Sequence, residues 1–234
     1  MKFQSNIFAD ARGKLNGNVF TKNRFASVVR NKVSPVQPNS MAQVIQRLNF
    51  GALSAGWRAL SQEQRNSWDS FAASVPRTNT FGQTYSPTGQ NYYIGLNTNL
   101  LNAGRSTINS PVNFSGFENI NLSSATLTID KSSASLTLTN ATIGANVEPP
   151  AGFTLLVRAS LGVSQGRKFL KNYFRLIATK TPADDMNDNY WSDYVARIGA
   201  PIVGQRIGLS FSLVNNTTGQ QSLSTDIAAI VVNI

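Results

Sequence analysis

The sequence contains no cysteine and no histidine among its 234 residues. The lack of cysteine excludes a disulfide framework, a thiolate zinc site and a cysteine nucleophile. The lack of histidine removes the commonest general base near neutral pH, the commonest metal ligand and the usual partner of a catalytic serine. We therefore expect a protein that is not an enzyme and that holds neither a metal ion nor another cofactor.

Long apolar runs are also missing. Residues 1–6 reach polar side chains at once, without the apolar run of a signal peptide, and no stretch approaches the roughly 18 apolar residues of a membrane span. These features predict synthesis in a cytoplasm and no membrane contact. With 41% apolar residues, the chain can still bury the core of one large domain or of two modest ones.

Acidic residues are scarce in the first half of the chain. Residues 1–115 hold 12 Lys and Arg against three acidic residues, whereas residues 116–234 hold nine against eight. The net charge of +10 therefore belongs almost entirely to the N-terminal half. Such a half suits an acidic partner, either nucleic acid or protein.

Residues 1–38 are predicted to form a basic β-hairpin arm followed by a proline linker. Residues 13–21 form one strand, 22–24 a polar break and 25–33 the returning strand, because Val, Phe and Gly alternate there with polar side chains. An isolated ribbon of this size is marginal in water, so a partner surface is implied. The candidate contact residues for protein or nucleic acid are its cations, which could also form a solvated face: Arg12, Lys14, Lys22, Arg24, Arg30 and Lys32.

Residues 39–115 are predicted to form a small helical region. A first helix runs from Asn39 or Ser40 to about Leu60, with Ile45, Leu48 and Leu53 on its apolar face. Residues 61–64 have the form of a capping box and predict a second helix, which Pro76 ends. A third helix is predicted from Ser86-Pro87 to just before Gly104. Aromatic residues at helical spacing are assigned to the core, and these are Phe50, Trp57, Trp68 and Phe71.

Residues 116–234 change to an alternating period that is typical of β-strands. Segments 125–130 and 134–139 predict a hairpin, and four further strands follow, with a short helix at 190–195. The fold class is therefore α+β, with a C-terminal sandwich of immunoglobulin or fibronectin type III character. A cluster of aspartates does not match a calcium loop and is assigned to loop and helix caps: Asp184, Asp185, Asp188 and Asp193.

Five segments of the N-terminal third occur together in a known pattern, and they are residues 13–20, 24–25, 33–40, 57–60 and 64–68. They form a glycine-rich basic hairpin, a V-x-P-x-N-P style linker and a W-R-x-L-T-x-x-Q-R-x-x-W helical hairpin. This pattern resembles uncharacterised virion structural-type proteins of tailed bacteriophages and prophages, many from Bacteroidetes hosts. Gln37-Pro38 stands where that family has Asn-Pro, and Ser61 stands where Thr is commoner.

The resemblance covers about residues 5–75 and reaches the sandwich only in general style. The family has no established activity. What it implies is membership of a virion, with other virion proteins and copies of the chain itself as partners, and no small-molecule substrate.

The leading hypothesis is accordingly a structural component of a tailed bacteriophage virion, made in the host cytoplasm and anchored by the basic arm. Its place could be at the capsid, at a head-tail connector or in the tail. A second hypothesis is a nucleic-acid-binding protein whose arm follows the phosphate backbone without reading sequence. A third is a carbohydrate-binding sandwich with Tyr190, Trp191 and Tyr194 as a sugar platform.

Overall fold

The computed structural model describes residues 2–3, 12–23, 26–34, 36–37, 39–79 and 81–233. Within these ranges the chain combines four α-helices with several antiparallel sheets, one of them a four-stranded sheet near the C-terminus. The α+β class predicted from the sequence is therefore confirmed.

The arm is a meander and not the single hairpin predicted from the sequence. Its sheet has the order β1-β4-β3-β2, with the strands β1 Lys2–Phe3, β2 Gly13–Leu15, β3 Asn18–Asn23 and β4 Ala26–Asn31. The predicted strand 13–21 is broken by a two-residue turn at Asn16-Gly17, where Asn16 has φ 50°. Asparagine suits this position because it tolerates the left-handed conformation that Asn16 adopts. Arg24, Phe25, Pro35 and Pro38 lie outside the described residues.

The helical region follows the prediction closely. Its elements are α1 Met41–Ala59, α2 Gln62–Ser74, β5 Arg77–Thr78, β6 Thr84–Tyr85 and α3 Gly89–Asn102. Ser61 and Gln64 form the complete capping box before α2. The third helix begins two residues later than predicted, because the hydroxyl of Thr88 accepts a hydrogen bond from the Asn91 amide and makes Thr88 the N-cap. Among the described helices, none has the length and hydropathy to cross a membrane.

The three helices pack around an aromatic core. Trp68 is fully buried, its ring lies 5.6 Å from that of Tyr93, and its indole nitrogen donates a 2.8 Å hydrogen bond to the carbonyl of Asn109. Phe71 is buried between Tyr92 and Phe114. Edge-to-face rings of this kind stabilise a core beyond the area they bury. The assignment of Trp68 and Phe71 to the core is confirmed.

The C-terminal region is built mainly from strands. Its elements are β7 Ile120–Asn121, β8 Thr126–Asp130, β9 Ser135–Thr139, β10 Thr142–Ile143, β11 Phe153–Ser160, a 3-10 turn Lys171–Tyr173, β12 Phe174–Lys180, α4 Trp191–Arg197, β13 Arg206–Asn215 and β14 Thr225–Ile230. The main sheet has the antiparallel order β12-β11-β13-β14. β8 and β9 form a separate hairpin, and β7 pairs with β10. The predicted strands and the short helix coincide with these elements to within a few residues.

The C-terminal core lies between the main sheet and the β8-β9 hairpin. Leu155 and Leu209 from the sheet meet Ile129 and Leu136 from the hairpin, and all four are buried. Backbone hydrogen bonds join the two layers at one side, where the Val232 amide donates to the carbonyl of Ile129 at 2.9 Å. Alternation along β11 and β13 places apolar side chains on this face because successive residues of a strand point to opposite sides.

The opposite face of the main sheet contacts the helical region. Ala103, just after α3, packs with Leu156 of β11 and Val214 of β13, and all three are buried. The Arg105 guanidinium donates to the hydroxyl of Thr154 at 3.3 Å. The helical region and the sheet are therefore joined by both apolar and polar contacts.

Candidate partner-binding surface

The arm sheet places cations in a row across one face. Lys14 of β2 is paired with Val19 of β3, and Val19 is paired with Arg30 of β4. Residues directly opposite one another in an antiparallel sheet have side chains on the same face, about 5 Å apart. Lys14 and Arg30 therefore flank an apolar valine on a single face, and both cations are exposed.

One further cation extends this row. Lys32 follows Arg30 by two residues, and its amide donates to the carbonyl of Gly17 at 2.6 Å, so strand pairing continues to this residue. Because side chains two apart on a strand share a face, the register brings Lys14, Arg30 and Lys32 together. Arg12 precedes β2, and Gly13, with φ 115°, interrupts the strand conformation between Arg12 and Lys14.

Lys22 is placed differently from these three cations. It lies opposite Ser27 on β4, and its position in β3 puts it on the face opposite to Lys14 and Arg30. Arg24 lies outside the described residues. The sequence thus identified the basic segment, whereas the register distinguishes the three cations of one face from Lys22.

A groove of about 910 Å³ runs along this sheet. Its lining mixes the cations with valine and asparagine: Lys14, Asn18, Val19, Val29, Arg30, Asn31, Lys32 and Val33. Residues 12–34 contain no acidic side chain, so no carboxylate of the segment itself neutralises the groove. A surface of this composition suits an anionic partner that also presents apolar area.

The first half of α1 adds an exposed apolar surface, which includes Ile45 and Leu48 of the predicted apolar face. Met41, Ile45 and Leu48 share one helix face at spacings of four and three residues, and all are exposed, Leu48 at 66%. Phe50 is also exposed, which contradicts its assignment to the core. Helical periodicity reveals an apolar face but does not say whether another element of the same chain covers it.

The linker is fixed to α1 by one side chain. The Arg47 guanidinium donates to the side-chain oxygen of Asn39 at 2.8 Å and also to that of Gln37. These bonds join the linker to the second turn of α1.

The acidic cluster forms the loop hydrogen bonds predicted for it but not a helix cap, because the N-cap of α4 is Tyr190, without a side-chain cap hydrogen bond. The Asp184 carboxylate accepts hydrogen bonds from the Thr181 amide and hydroxyl, which lower the pKa of Asp184. Asp185 accepts from the Asn187 amide, and Asp188 pairs with Lys180, whose hydrogen bond lowers the Asp188 pKa. Nowhere in the described ranges do three residues of metal-binding type gather around a possible ion site.

The proposed sugar platform is not available to a ligand. Tyr190 and Tyr194 are buried in the C-terminal core, and the Tyr190 hydroxyl donates to the Met186 carbonyl at 2.5 Å. Burial raises the pKa of Tyr190 and raises that of Tyr194 to about 12. Trp191 is the one half-exposed ring of the three. The rings lack the exposed faces on which a sugar could stack.

Comparisons of the chain with protein-family models, with curated proteins and with solved structures find no match.

Proposed function

We propose that this chain is a non-enzymatic structural component of a tailed bacteriophage virion, anchored in the particle through its arm. The observation that carries the proposal is the row of Lys14, Arg30 and Lys32 on one face of a small sheet. Neighbouring virion proteins are the partners, and copies of the chain are laterally adjacent. The absence of histidine and cysteine supports a role without catalysis.

The apolar face at the start of α1 supports the same proposal. Exposed apolar patches mark interaction sites when they lie next to polar residues. Here Met41, Ile45 and Leu48 follow the cationic sheet after a short linker. The cations set orientation and association rate, and the apolar residues contribute the buried area that gives an interface its affinity.

In this proposal the C-terminal region either projects from the particle or packs laterally against its neighbours. We propose that its main sheet and its β8-β9 hairpin form an immunoglobulin-like sandwich. Two antiparallel layers around a common core support this arrangement. A sandwich of this kind supplies a rigid body to which the arm is attached.

The test replaces Lys14, Arg30 and Lys32 with Gln and measures the copy number of the variant in purified particles. The control replaces Arg58, Lys131 and Arg197 with Gln, because these exposed cations lie outside the arm and remove the same charge. We expect the arm variant to keep its melting temperature and to lose most of its incorporation, while the control is incorporated normally. Normal incorporation of the arm variant would refute the arm as the anchor.

Nucleic acid is the second candidate partner, because the same row of cations could follow a phosphate backbone. Each phosphate contact makes log affinity fall by about 0.9 per unit of log salt concentration on duplex DNA. Three cations therefore predict a marked salt dependence. Binding of random-sequence DNA that weakens steeply between two salt concentrations, and that the Gln variant abolishes, would favour this function over protein anchoring.

A further inference from the structure

The C-terminal region is nearly neutral overall, but its positive and negative charges lie in two separate patches. Residues 149–183 contain six cations and no acidic side chain, and four of the cations lie within residues 167–175. Residues 184–193 then contain four aspartates and no cation. The excess of positive charge is therefore followed directly by an excess of negative charge along the chain.

Strand β12 separates these two patches in space. The cations occupy the loop and 3-10 turn that lead into Phe174, and the aspartates follow the end of the strand at Lys180. A strand rises about 3.3 Å per residue, so these seven residues hold the two patches roughly 20 Å apart. We call them the basic end, residues 167–175, and the acidic end, residues 184–193.

The basic end is a fixed surface that also exposes apolar side chains. Leu170 is buried against Gly208 of β13, and its neighbour Phe169 is 60% exposed. The Arg167 guanidinium donates to the Tyr173 hydroxyl at 2.7 Å and lies over its ring. Aromatic and arginine side chains are enriched at the energetic centres of protein interfaces.

A neighbouring loop enlarges this apolar area. The Leu161 amide donates to the Tyr173 carbonyl at 3.4 Å, and the Gln205 side chain lies against Gly162. The same Gln205 oxygen accepts from the amide of Ile202 at 3.0 Å, and Ile202 is exposed. The surface therefore combines cations with aromatic and aliphatic groups, which suits a protein better than a nucleic acid.

The acidic end is similarly fixed. The hydrogen bonds to Asp184, Asp185 and Asp188 hold this loop in place, and Asp185 and Asp188 remain exposed. Residues 180–197 hold these aspartates and Asp193 against two cations, Lys180 and Arg197. Negative charge therefore remains in excess after the ion pair between Lys180 and Asp188 is formed.

We propose that the basic end of one copy binds the acidic end of a second copy, so that chains associate head to tail. The partner is a second copy of this chain because the two ends carry complementary charges. Side-by-side pairing of β12 edges is disfavoured, because the register with β11 shifts at Val157 and Arg158 and leaves Ile177 as an extra residue in the edge strand. A head-to-tail contact is heterologous and forms a ring where its rotation closes. This inference goes beyond the anchoring role and does not use the arm.

The experiment uses two full-length variants with opposite charge reversals. Lys168→Glu with Lys171→Glu lowers the net charge of the basic end from +4 to 0, and Asp185→Lys with Asp193→Lys raises that of the acidic end from −4 to 0. Both are made in the background of the Lys14, Arg30 and Lys32 to Gln variant, which reduces the attraction that the arm could supply. Association is measured by sedimentation velocity at low ionic strength over a range of concentrations.

We expect the background protein to self-associate and each variant to associate about tenfold or more weakly, since one of its ends then lacks the excess charge that attracts the other. An equimolar mixture of the two variants should recover association between unlike variants, because the unchanged basic end of one meets the unchanged acidic end of the other. The control pair, Arg58→Glu with Lys131→Glu, should associate like the background.

Three results would overturn the proposal. They are a background protein that stays monomeric, reversed variants that associate normally, and a mixture that does not recover. Loss of single-stranded DNA binding or of anionic vesicle binding in the Lys168 and Lys171 variant, without a change in self-association, would assign the basic end to those partners instead. Because Lys14, Arg30 and Lys32 are replaced in every sample, failure here leaves the anchoring proposal untouched.

Discussion

Gly219, in the turn after β13, lies directly against the main-chain carbonyl of Leu96 in α3. A Cβ built on Gly219 would stand 2.9 Å from the carbonyl carbon of Leu96, and the glycine has φ 71°. The side-chain amide of Asn99 donates to the Gly219 carbonyl at 3.0 Å. The hairpin turn of the C-terminal sheet thus packs against a helix of the N-terminal half.

Gly219→Ala should destabilise the protein by about 2–3 kcal/mol, because the methyl group meets backbone that cannot move away and the alanine must adopt positive φ. The measurement is the free energy of unfolding in denaturant. Gly166→Ala is the control, since a Cβ there meets nothing within 4 Å. Equal stability of the two variants would mean that the turn does not touch the helix.

The contact of the two regions predicts cooperative unfolding of residues 39–233. Ala103 is buried with Leu156 and Val214, and the Asn215 side chain donates to the Ser115 hydroxyl at 2.9 Å. Separation would expose the apolar groups to water. We expect one calorimetric transition, with calorimetric and van't Hoff enthalpies in agreement. Two resolved transitions would show instead that the regions are thermodynamically independent, as the sequence boundary near residue 116 suggests.

Ser61→Ala should cost about 1 kcal/mol of unfolding free energy, because it removes the acceptor for the Gln64 amide at the start of α2. The reciprocal bond from the Ser61 amide to the Gln64 side chain, 3.0 Å long, would then lose its geometry. Ser70→Ala changes the same residue type at an exposed position inside the same helix. It should leave stability equal or slightly higher, since alanine favours helix.

Alkaline unfolding should depend on Tyr194. Its pKa is raised to about 12 by burial, whereas an unfolded tyrosine ionises near 10. The unfolded chain therefore loses its proton first, and stability that is fully present below about pH 10 is lost as pH rises toward 12. Tyr194→Phe should move the alkaline midpoint upward, as followed by circular dichroism. An unchanged alkaline midpoint in the Tyr194→Phe variant would contradict this.

Local signals account for the parts of the fold that the sequence predicted well. The capping box at Ser61 and the alternation in β8 and β9 depend on neighbouring residues, so both are visible without tertiary structure. The start of α3 was placed at Ser86-Pro87 because proline fits the first turn of a helix. Thr88, one residue after Pro87, supplies the N-cap instead, because its hydroxyl accepts a hydrogen bond from the Asn91 amide and proline has no such group.

The surfaces could not be predicted in the same way, because exposure depends on distant elements. Leu48 has the spacing of a core residue, yet no neighbour in the described ranges buries it, whereas Tyr190 looked like a ligand platform and is covered by the sheet. The two charged ends were missed for a similar reason. A charge sum over the region cancels, and only the course of β12 shows that the opposite charges are held apart.

The turn at Asn16-Gly17 has a chemical consequence as well as a geometric one. Asparagine followed by glycine deamidates more readily than other pairs, because glycine has no side chain to hinder attack of its own amide nitrogen on the asparagine amide. Asn16 and Gly17 are both exposed. The product is an aspartate or isoaspartate, which would put the first carboxylate into residues 12–34, two positions from Lys14. Ageing of the purified protein would therefore lower the positive charge of the arm without any substitution.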